Sequence, residues 1–426
     1  MARPIRDHLG RRVVVVTGMG LITALGRGKA ENWAGVIAGR SGLKRISRFP
    51  TENLRSTVAG TVDFMDVNPY SAHDLSLAMA IATAEEALAE ARIESRAFPG
   101  PLIVATPPSE FEWPLLRKLH DESPEPERSG YARLLAAART GNYRDMARHL
   151  RFASIADRLK ERFGCRGEPL SICTACASGT TTIQLGLEAI RRGEADAALC
   201  IGTDATVHPE GLIRFSLLSA LSTRNDPPEK ASRPFSKDRD GFVIAEGSGA
   251  LVLEAYESAR ARGAPILAVV RGCGEKADDY HRTRSRPDGT AIIGAIQKTL
   301  DDAGVAPDEI DYINAHGTST PENDRMEYLS LKAVLGDRLH QVPISSNKSM
   351  VGHTLIAAGS VEAVFSVLTL QNGLLPPTIN YDIPDPEIPL DVVPNEARAA
   401  KVRTVLSNSF GFGGQNACVV FSGEPE

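Results

Sequence analysis

Ser171-Ile-Cys-Thr-Ala-Cys-Ala-Ser-Gly-Thr180 is a short apolar run stopped by a turn of small residues. Behind it Ile183, Leu187 and Ile190 recur at helical spacing, and Gly193 ends the pattern. This spacing predicts that Cys176 stands where a buried strand meets the first turn of a helix. The unpaired N–H groups and the positive end of that helix would point at its sulfur and favour the thiolate, the nucleophilic form. Ala175, Ala177 and Gly179 leave room for a substrate to approach the backbone. Cys173 completes a Cys-x-x-Cys, but structural zinc needs a second pair, and Cys165, Cys200, Cys273 and Cys418 do not form one.

Working outward, the chain has 426 residues, 42% hydrophobic and 24% charged, with a net charge of −5. That is the composition of a globular protein with two large domains or one duplicated domain. The mild acidity speaks against nucleic acid as a partner. Six cysteines are too sparse for a disulfide scaffold at this length, which points to a reducing cytoplasm. Val13–Val16 is too short for a signal-peptide core, and no apolar run approaches a membrane span.

Residues 13–26 read as a buried strand running into a glycine turn; the Gly-x-Gly spacing does not match a dinucleotide fingerprint. Residues 76–93 are Ala-rich and helical, and Leu102–Ala105 is a buried strand. Residues 107–150 break the rhythm and look like an elaborated cap. A helix over 154–163 leads into the Cys176 strand. Ala197–Ile201 is a further buried strand, and 241–254 reads as a strand pair bent at small residues. The second half continues with strand 266–271, helix 290–304, strand 310–314, a helix near 324–335, strand 342–345, helix 355–371 and strands 403–407 and 417–421. Alternating strands and helices in both halves imply an α/β fold with layered sheets. No internal repeat is visible in the sequence itself.

Three polar stretches stand at the ends of apolar strands, where open α/β sheets place ligands. They are Asn314-Ala-His316-Gly-Thr318-Ser-Thr320-Pro, Ser345-Ser-Asn-Lys348-Ser-Met-Val-Gly-His353 and Asn408-Ser-Phe410-Gly-Phe412-Gly-Gly414-Gln-Asn416. A nucleophilic Cys176 could take an acyl group as a thioester. Two neutral imidazoles could each donate one N–H to a carbonyl oxygen becoming an enolate. Lys348 could hold the electrostatics and the histidine geometry. Glycines 411, 413 and 414 would let backbone N–H groups reach a developing oxyanion.

Together, Thr-Ala-Cys176-Ala-Ser-Gly and these three stretches resemble the β-ketoacyl-acyl-carrier-protein synthases of the elongating type II kind. The resemblance runs from Val13 to Phe421 and includes Ala231-Ser-Arg-Pro-Phe-Ser-Lys-Asp-Arg-Asp-Gly-Phe. It implies the thiolase fold, two similar halves in a five-layered αβαβα sandwich, here 1–263 and 264–426, usually as a homodimer. It implies a Cys176–His316–His353 triad, with Lys348 and Glu362 as the family's lysine and glutamate. The backbone N–H groups of Cys176 and Phe412 match the oxyanion hole, and Phe410 and Phe412 the gate. Thr283, Thr318 and Thr320 match pantetheine contacts, and Arg224, Arg282 and Arg284 would meet the acyl carrier protein. The family uses no organic cofactor and no metal is implied. Its ping-pong reaction loads an acyl chain on the cysteine, decarboxylates malonyl-carrier and condenses the two. The rivals are a polyketide ketosynthase and a non-catalytic partner subunit, which would lack the cysteine.

The chain departs from the family pattern twice. Thr106-Pro-Pro-Ser-Glu-Phe-Glu-Trp113 replaces a glycine-rich turn that lines the acyl tunnel, so Phe111 and Trp113 are expected to add bulk there. Val67-Asn-Pro-Tyr-Ser-Ala-His-Asp74 replaces a basic carrier-docking patch. Both point to an unusual acyl chain, very long chains among them, or to a dedicated carrier.

Overall fold

The computed structural model describes residues 5–423 apart from 68, 69, 95 and 109–111. Phe111, Asn68 and Pro69, invoked above, lie outside the described residues. The framework is one eleven-stranded sheet. Its main path uses β1 (Val14–Thr23), β2 (Leu102–Ala105), β3 (Leu170–Ile172), β4 (Ala197–Asp204), β5 (Gly247–Ala255), β6 (Ala268–Ala277), β7 (Tyr312–Asn314), β8 (Ile344–Ser345), β9 (Thr404–Phe410) and β10 (Gln415–Ser422). The principal helices are α1 (Ala72–Ala91), α2 (Ser154–Phe163), α3 (Ser178–Arg191), α4 (Thr290–Ala303), α5 (Pro321–Leu335) and α6 (Ala358–Asn372).

The spatial order is β8-β7-β9-β10-β6-β1-β5-β4-β2-β3. Counted within each half, this is 3-2-4-5-1 followed by 1-5-4-2-3. Each half also runs strand, helix, strand, helix, strand, helix, strand, strand. In each, the last strand is antiparallel to both neighbours and the other three inner-to-edge strands are parallel. A duplication invisible in the residues is therefore explicit in the topology. Among the described residues the halves join edge to edge through Val14–Val16 and Ala268–Val270, and the sheet wraps around α3 and α6, which touch strands of both halves. With α1 and α2 outside one half and α4 and α5 outside the other, this is the five-layered αβαβα sandwich.

Burial explains the composition of the layers. Strands covered on both faces read as continuous apolar runs: β1, β4 and β5 are buried at every position. Helix α6 is buried from Ala358 through Thr369 and is accordingly apolar all round. The segment Leu355–Asn372 is long and apolar enough to cross a membrane by composition, yet 83% of it is buried inside the protein.

Four expectations are corrected. Gly18 and Gly20 do not make a turn; they lie within β1. A Cβ on Gly18 would stand 2.0 Å from the Ala87 carbonyl oxygen and one on Gly20 1.9 Å from that of Thr83, so the glycines let α1 lie directly on the strand. The 241–254 stretch is one strand, β5, preceded by irregular backbone, not a strand pair. The strand before Cys176 is not buried: β3 is the sheet's outer edge, paired only with β2, and Leu170 is 45% exposed. Residues 107–150 form helices Trp113–Asp121 and Gly130–Arg139 and a 3₁₀ turn Arg144–His149. Among the described residues of this segment none lines the cavity at Cys176, so they do not cap it. They are instead tied to the start of α1, through Glu112 with Ser71 and Ala72, and to Glu210, which accepts from the Trp113 N–H.

The contact at the centre of the sandwich is the closest in the fold's middle layer. A Cβ on Gly179 would lie 2.3 Å from the Ser360 nitrogen, and one on Gly359 2.5 Å from the Thr180 nitrogen. Overpacking of this kind typically costs about 1–3 kcal/mol. Gly179→Ala should therefore lower the urea midpoint of unfolding by a corresponding amount and reduce turnover, because Cys176 sits two residues before α3. An unchanged midpoint would show that the two helices can part without cost.

Candidate active site

The parallel strands aim their C-terminal ends at one place from both halves. Cys176 follows β3, His316 follows β7, Lys348 and His353 follow β8, and Phe412 follows β9. Ala175 is held at φ 48°, a left-handed conformation unusual for alanine, and Ser178 bonds back to Thr174 N–H and Ala175 O, which together shape a sharp elbow. Gly413 and Gly414 at φ 81° and 82° turn the last loop so that the Phe412 N–H reaches the Cys176 sulfur.

Donor atoms of Cys176, His316 and His353 lie within 4.8 Å of one another. His353 Nε2 is 3.2 Å from Cys176 Sγ, and the two imidazoles meet edge to face at 5.4 Å. The tautomers follow from the other ring nitrogens. His353 Nδ1 accepts from the Leu355 N–H at 3.2 Å, so its proton is on Nε2. Lys348 Nζ uses its three N–H groups on the His316 carbonyl at 2.6 Å, on Glu362 and on His316 Nδ1 at 3.4 Å, so the His316 proton is also on Nε2. Burial, and then the charge of Lys348, hold both histidines well below the usual imidazole range. The site thus presents two neutral N–H donors. A soft cation would need lone pairs on those nitrogens, so the set is chemically suited to a carbonyl oxygen rather than to a metal.

The expectation of a resting thiolate is overturned. Burial pushes the Cys176 thiol up to about 11, more than the Phe412 N–H and the Lys348 charge offset. Depth beneath the surface outweighs the helix terminus here.

The cavity measures about 290 Å³. Thr283, Thr318 and Thr320 line it, as do Phe410, Phe412 and Arg284. Lys348 and Glu362 are buried behind the histidines and do not face it. Arg224 and Arg282 are outside it; Arg224 is paired with Asp238 at 3.0 Å. Arg286 is likewise taken, by Asp279. Trp113 lines no part of this cavity, so its expected bulk does not shorten it.

Two groups escaped the sequence reading. Glu327 on α5 accepts from the His316 and Gly317 N–H groups at 2.9 and 2.7 Å and from Asn408, and so fixes the histidine turn; burial raises its carboxyl to about 7. Asp204, at the end of β4, accepts from Thr206 and Ile356 N–H groups and anchors the backbone before α6. The only sequence signal for either is an acid near a strand-end motif.

The chain also matches known proteins over nearly its whole length. Two family models match, described as the beta-ketoacyl synthase N-terminal domain over residues 11–259 and C-terminal domain over 267–382. The chain is 38% identical to the 3-oxoacyl-[acyl-carrier-protein] synthase 2 of Coxiella burnetii, covering 97% of this chain and 99% of that protein. It is 36% identical to the tetracenomycin polyketide synthase ketoacyl synthase alpha subunit of Streptomyces glaucescens, covering 97% of each. Among solved structures, a type II polyketide acyl-carrier protein in complex with its ketosynthase bound to the hexaketide matches with a TM-score of 0.85 at 32% identity, over 97% of this chain and 100% of that one.

A raised thiol is protonated at neutral pH, and its reactivity grows until pH passes its pKa. Alkylation of Cys176 by iodoacetamide, read on its own peptide, should rise about tenfold per pH unit between roughly pH 7 and 10. A plateau below pH 8 would mean the thiolate is already formed at rest.

Proposed function

The chain belongs to the beta-ketoacyl synthase family, and from that membership we propose how its own residues perform the decarboxylating condensation of an acyl chain with malonyl-acyl-carrier-protein. The product is 3-oxoacyl-acyl-carrier-protein, in fatty acid elongation. The observation that carries this reading is the convergence of both imidazoles on Cys176, with His353 Nε2 3.2 Å from its sulfur.

In the first half-reaction the Cys176 sulfur attacks the carrier's thioester carbonyl, and its proton leaves with the carrier thiol. The Phe412 and Cys176 N–H groups stabilise the oxyanion. In the second, His316 and His353 donate to the malonyl thioester carbonyl. Carbon dioxide departs, and the electrons of the broken C–C bond form an enolate. Its carbon attacks the acyl-Cys176 carbonyl, and Cys176 sulfur leaves, held by His353, Phe412 and the start of α3. Lys348 and Glu362 act through His316 by fixing its tautomer. Phe410 and Phe412 gate the cavity, while Thr283, Thr318 and Thr320 hold the pantetheine arm.

The partner is an acyl carrier protein, approached by Arg284 on the cavity wall with Arg282 and Arg224 outside it. We place the protein in the cytoplasm as a homodimer, the boundary between halves lying at 263/264. The one-sided pairing of β3 supports dimerisation, since an exposed edge invites a second strand. A polyketide ketosynthase would run the same half-reactions repeatedly, and the likeness to the tetracenomycin subunit bears on it. The products formed from a ladder of acyl chains separate the two readings: single 3-oxo extension against a poly-oxo chain. Activity on the general carrier with ordinary medium and long chains would remove the case for a specialised chain or carrier.

Cys176→Ala should abolish acyl-enzyme formation on intact-mass analysis, and continued transfer to the variant would sink the assignment. His353→Ala should still be acylated yet lose about 100- to 1,000-fold of malonyl decarboxylation, the usual effect of deleting one oxyanion donor. Decarboxylation at the parent rate would remove His353 from the second half-reaction.

A further inference from the structure

On the outer side of the first half, outside the cavity that Cys176 lines, α1 and α2 bring together a second set of reactive groups. Ser154, the first residue of the ten-residue α2, places Oγ 2.7 Å from His73 Nε2. His73 Nδ1 lies 3.0 Å from Asp74 Oδ1. The carboxylate, which accepts only, puts the ring proton on Nδ1. Nε2 is then a lone pair that accepts the Ser154 hydroxyl proton. That is the serine–histidine–carboxylate relation in which the imidazole serves as general base.

A third group has no structural explanation. His149 is 6% exposed, and its ring stands 4.8 Å from that of His73. Its Nε2 accepts from Arg148 Nε at 3.2 Å, so its proton is on Nδ1, and Nδ1 has no hydrogen-bond partner. A buried donor left unused costs free energy comparable to a lost hydrogen bond. Such a donor beside a serine–histidine pair is placed as an oxyanion group. The Ser154 N–H is taken by the Arg151 carbonyl and the Asp157 N–H by that of Ala153, so the oxyanion role falls to His149.

We propose that Ser154, His73 and Asp74 form a second acyl-transfer centre that hydrolyses short-chain carboxylic esters, with His149 Nδ1–H receiving the oxyanion. A cavity of about 40 Å³, walled by Pro107, Pro108 and Ile155 and reaching Ser154, holds no more than an acetyl-sized group. On the other side of His73 and Ser154 a groove of about 650 Å³ opens and takes the leaving alcohol. Ser154 Oγ forms a bond to the acyl carbon while His73 takes its proton. The ester C–O bond breaks, and the alcohol leaves with that proton. Water, deprotonated by His73, then cleaves the acyl-serine, the acid departs and Ser154 regains its proton. The centre is independent of the condensation chemistry.

The test uses the full chain carrying Cys176→Ala, supplied with p-nitrophenyl acetate and, separately, a fluorophosphonate probe. Expected are repeated turnover and a phosphonate adduct on the peptide containing Ser154. Adding Ser154→Ala should remove the adduct, and either Ser154→Ala or His73→Asn should lower turnover at least about 100-fold with the melting temperature unchanged. Turnover in Ser154→Ala equal to its parent, or no adduct on Ser154 in the parent, overturns the proposal. So does turnover lost to a chelator and restored by zinc. Donor atoms of His73, Asp74 and His149 lie within 4.8 Å of one another, and that result would assign them to a metal instead.

Discussion

The structure depends on how closely two helices can approach at the centre of the sandwich. Gly179 and Gly359 face the backbone of the opposite helix at distances that admit no Cβ. Gly202 and Gly249 let Ser360 settle against β4 and β5 in the same region. Because α3 and α6 meet at their first turns, the segments just ahead of them, Ala175-Cys176-Ala177 and His353-Thr354-Leu355, are forced together. The 3.2 Å approach of sulfur to imidazole is thus a consequence of small residues behind it, not of any attraction between the two side chains.

Around that contact, buried polar groups are arranged to remove ambiguity. Lys348 donates its three N–H groups to three acceptors, and the Leu355 N–H occupies Nδ1 of the second histidine. Glu327 holds the backbone of the His316 turn rather than its ring. Burying ionisable groups at this density is costly unless each is matched. Here the matching also decides which atom of each imidazole carries its proton, so the interior electrostatics and the chemistry have one origin.

Much of this was legible in the residues. Helices over 290–304 and 154–163, and the strand-end placement of Cys176, His316, Lys348 and His353, follow from periodicity and from turns of small residues. Where the reading failed, the cause was depth or partnership. Gly18 and Gly20 look the same in sequence whether they make a turn or admit a helix, since both uses need only the missing Cβ. Cys176 stands at a helix start as expected, yet its protonation is governed by burial, which a local window does not report. Glu327 lies eleven positions beyond His316 on another element, and nothing local says that its helix folds back over the turn. The doubling of the fold has no residue-level trace because the same apolar runs serve any buried strand.

That doubling has a consequence for how the labour is divided. Two residues ahead of α3 stands Cys176; two residues ahead of α6 stands Ile356, whose N–H is tied to Asp204. The second copy keeps the scaffold of an elbow but carries no reactive side chain there, while His316 and His353 arise only from its loops. In the proposed reaction each copy is therefore incomplete, and the division is asymmetric: one carries the covalent bond, the other supplies the proton donors. The proposed condensation therefore belongs to the seam between them.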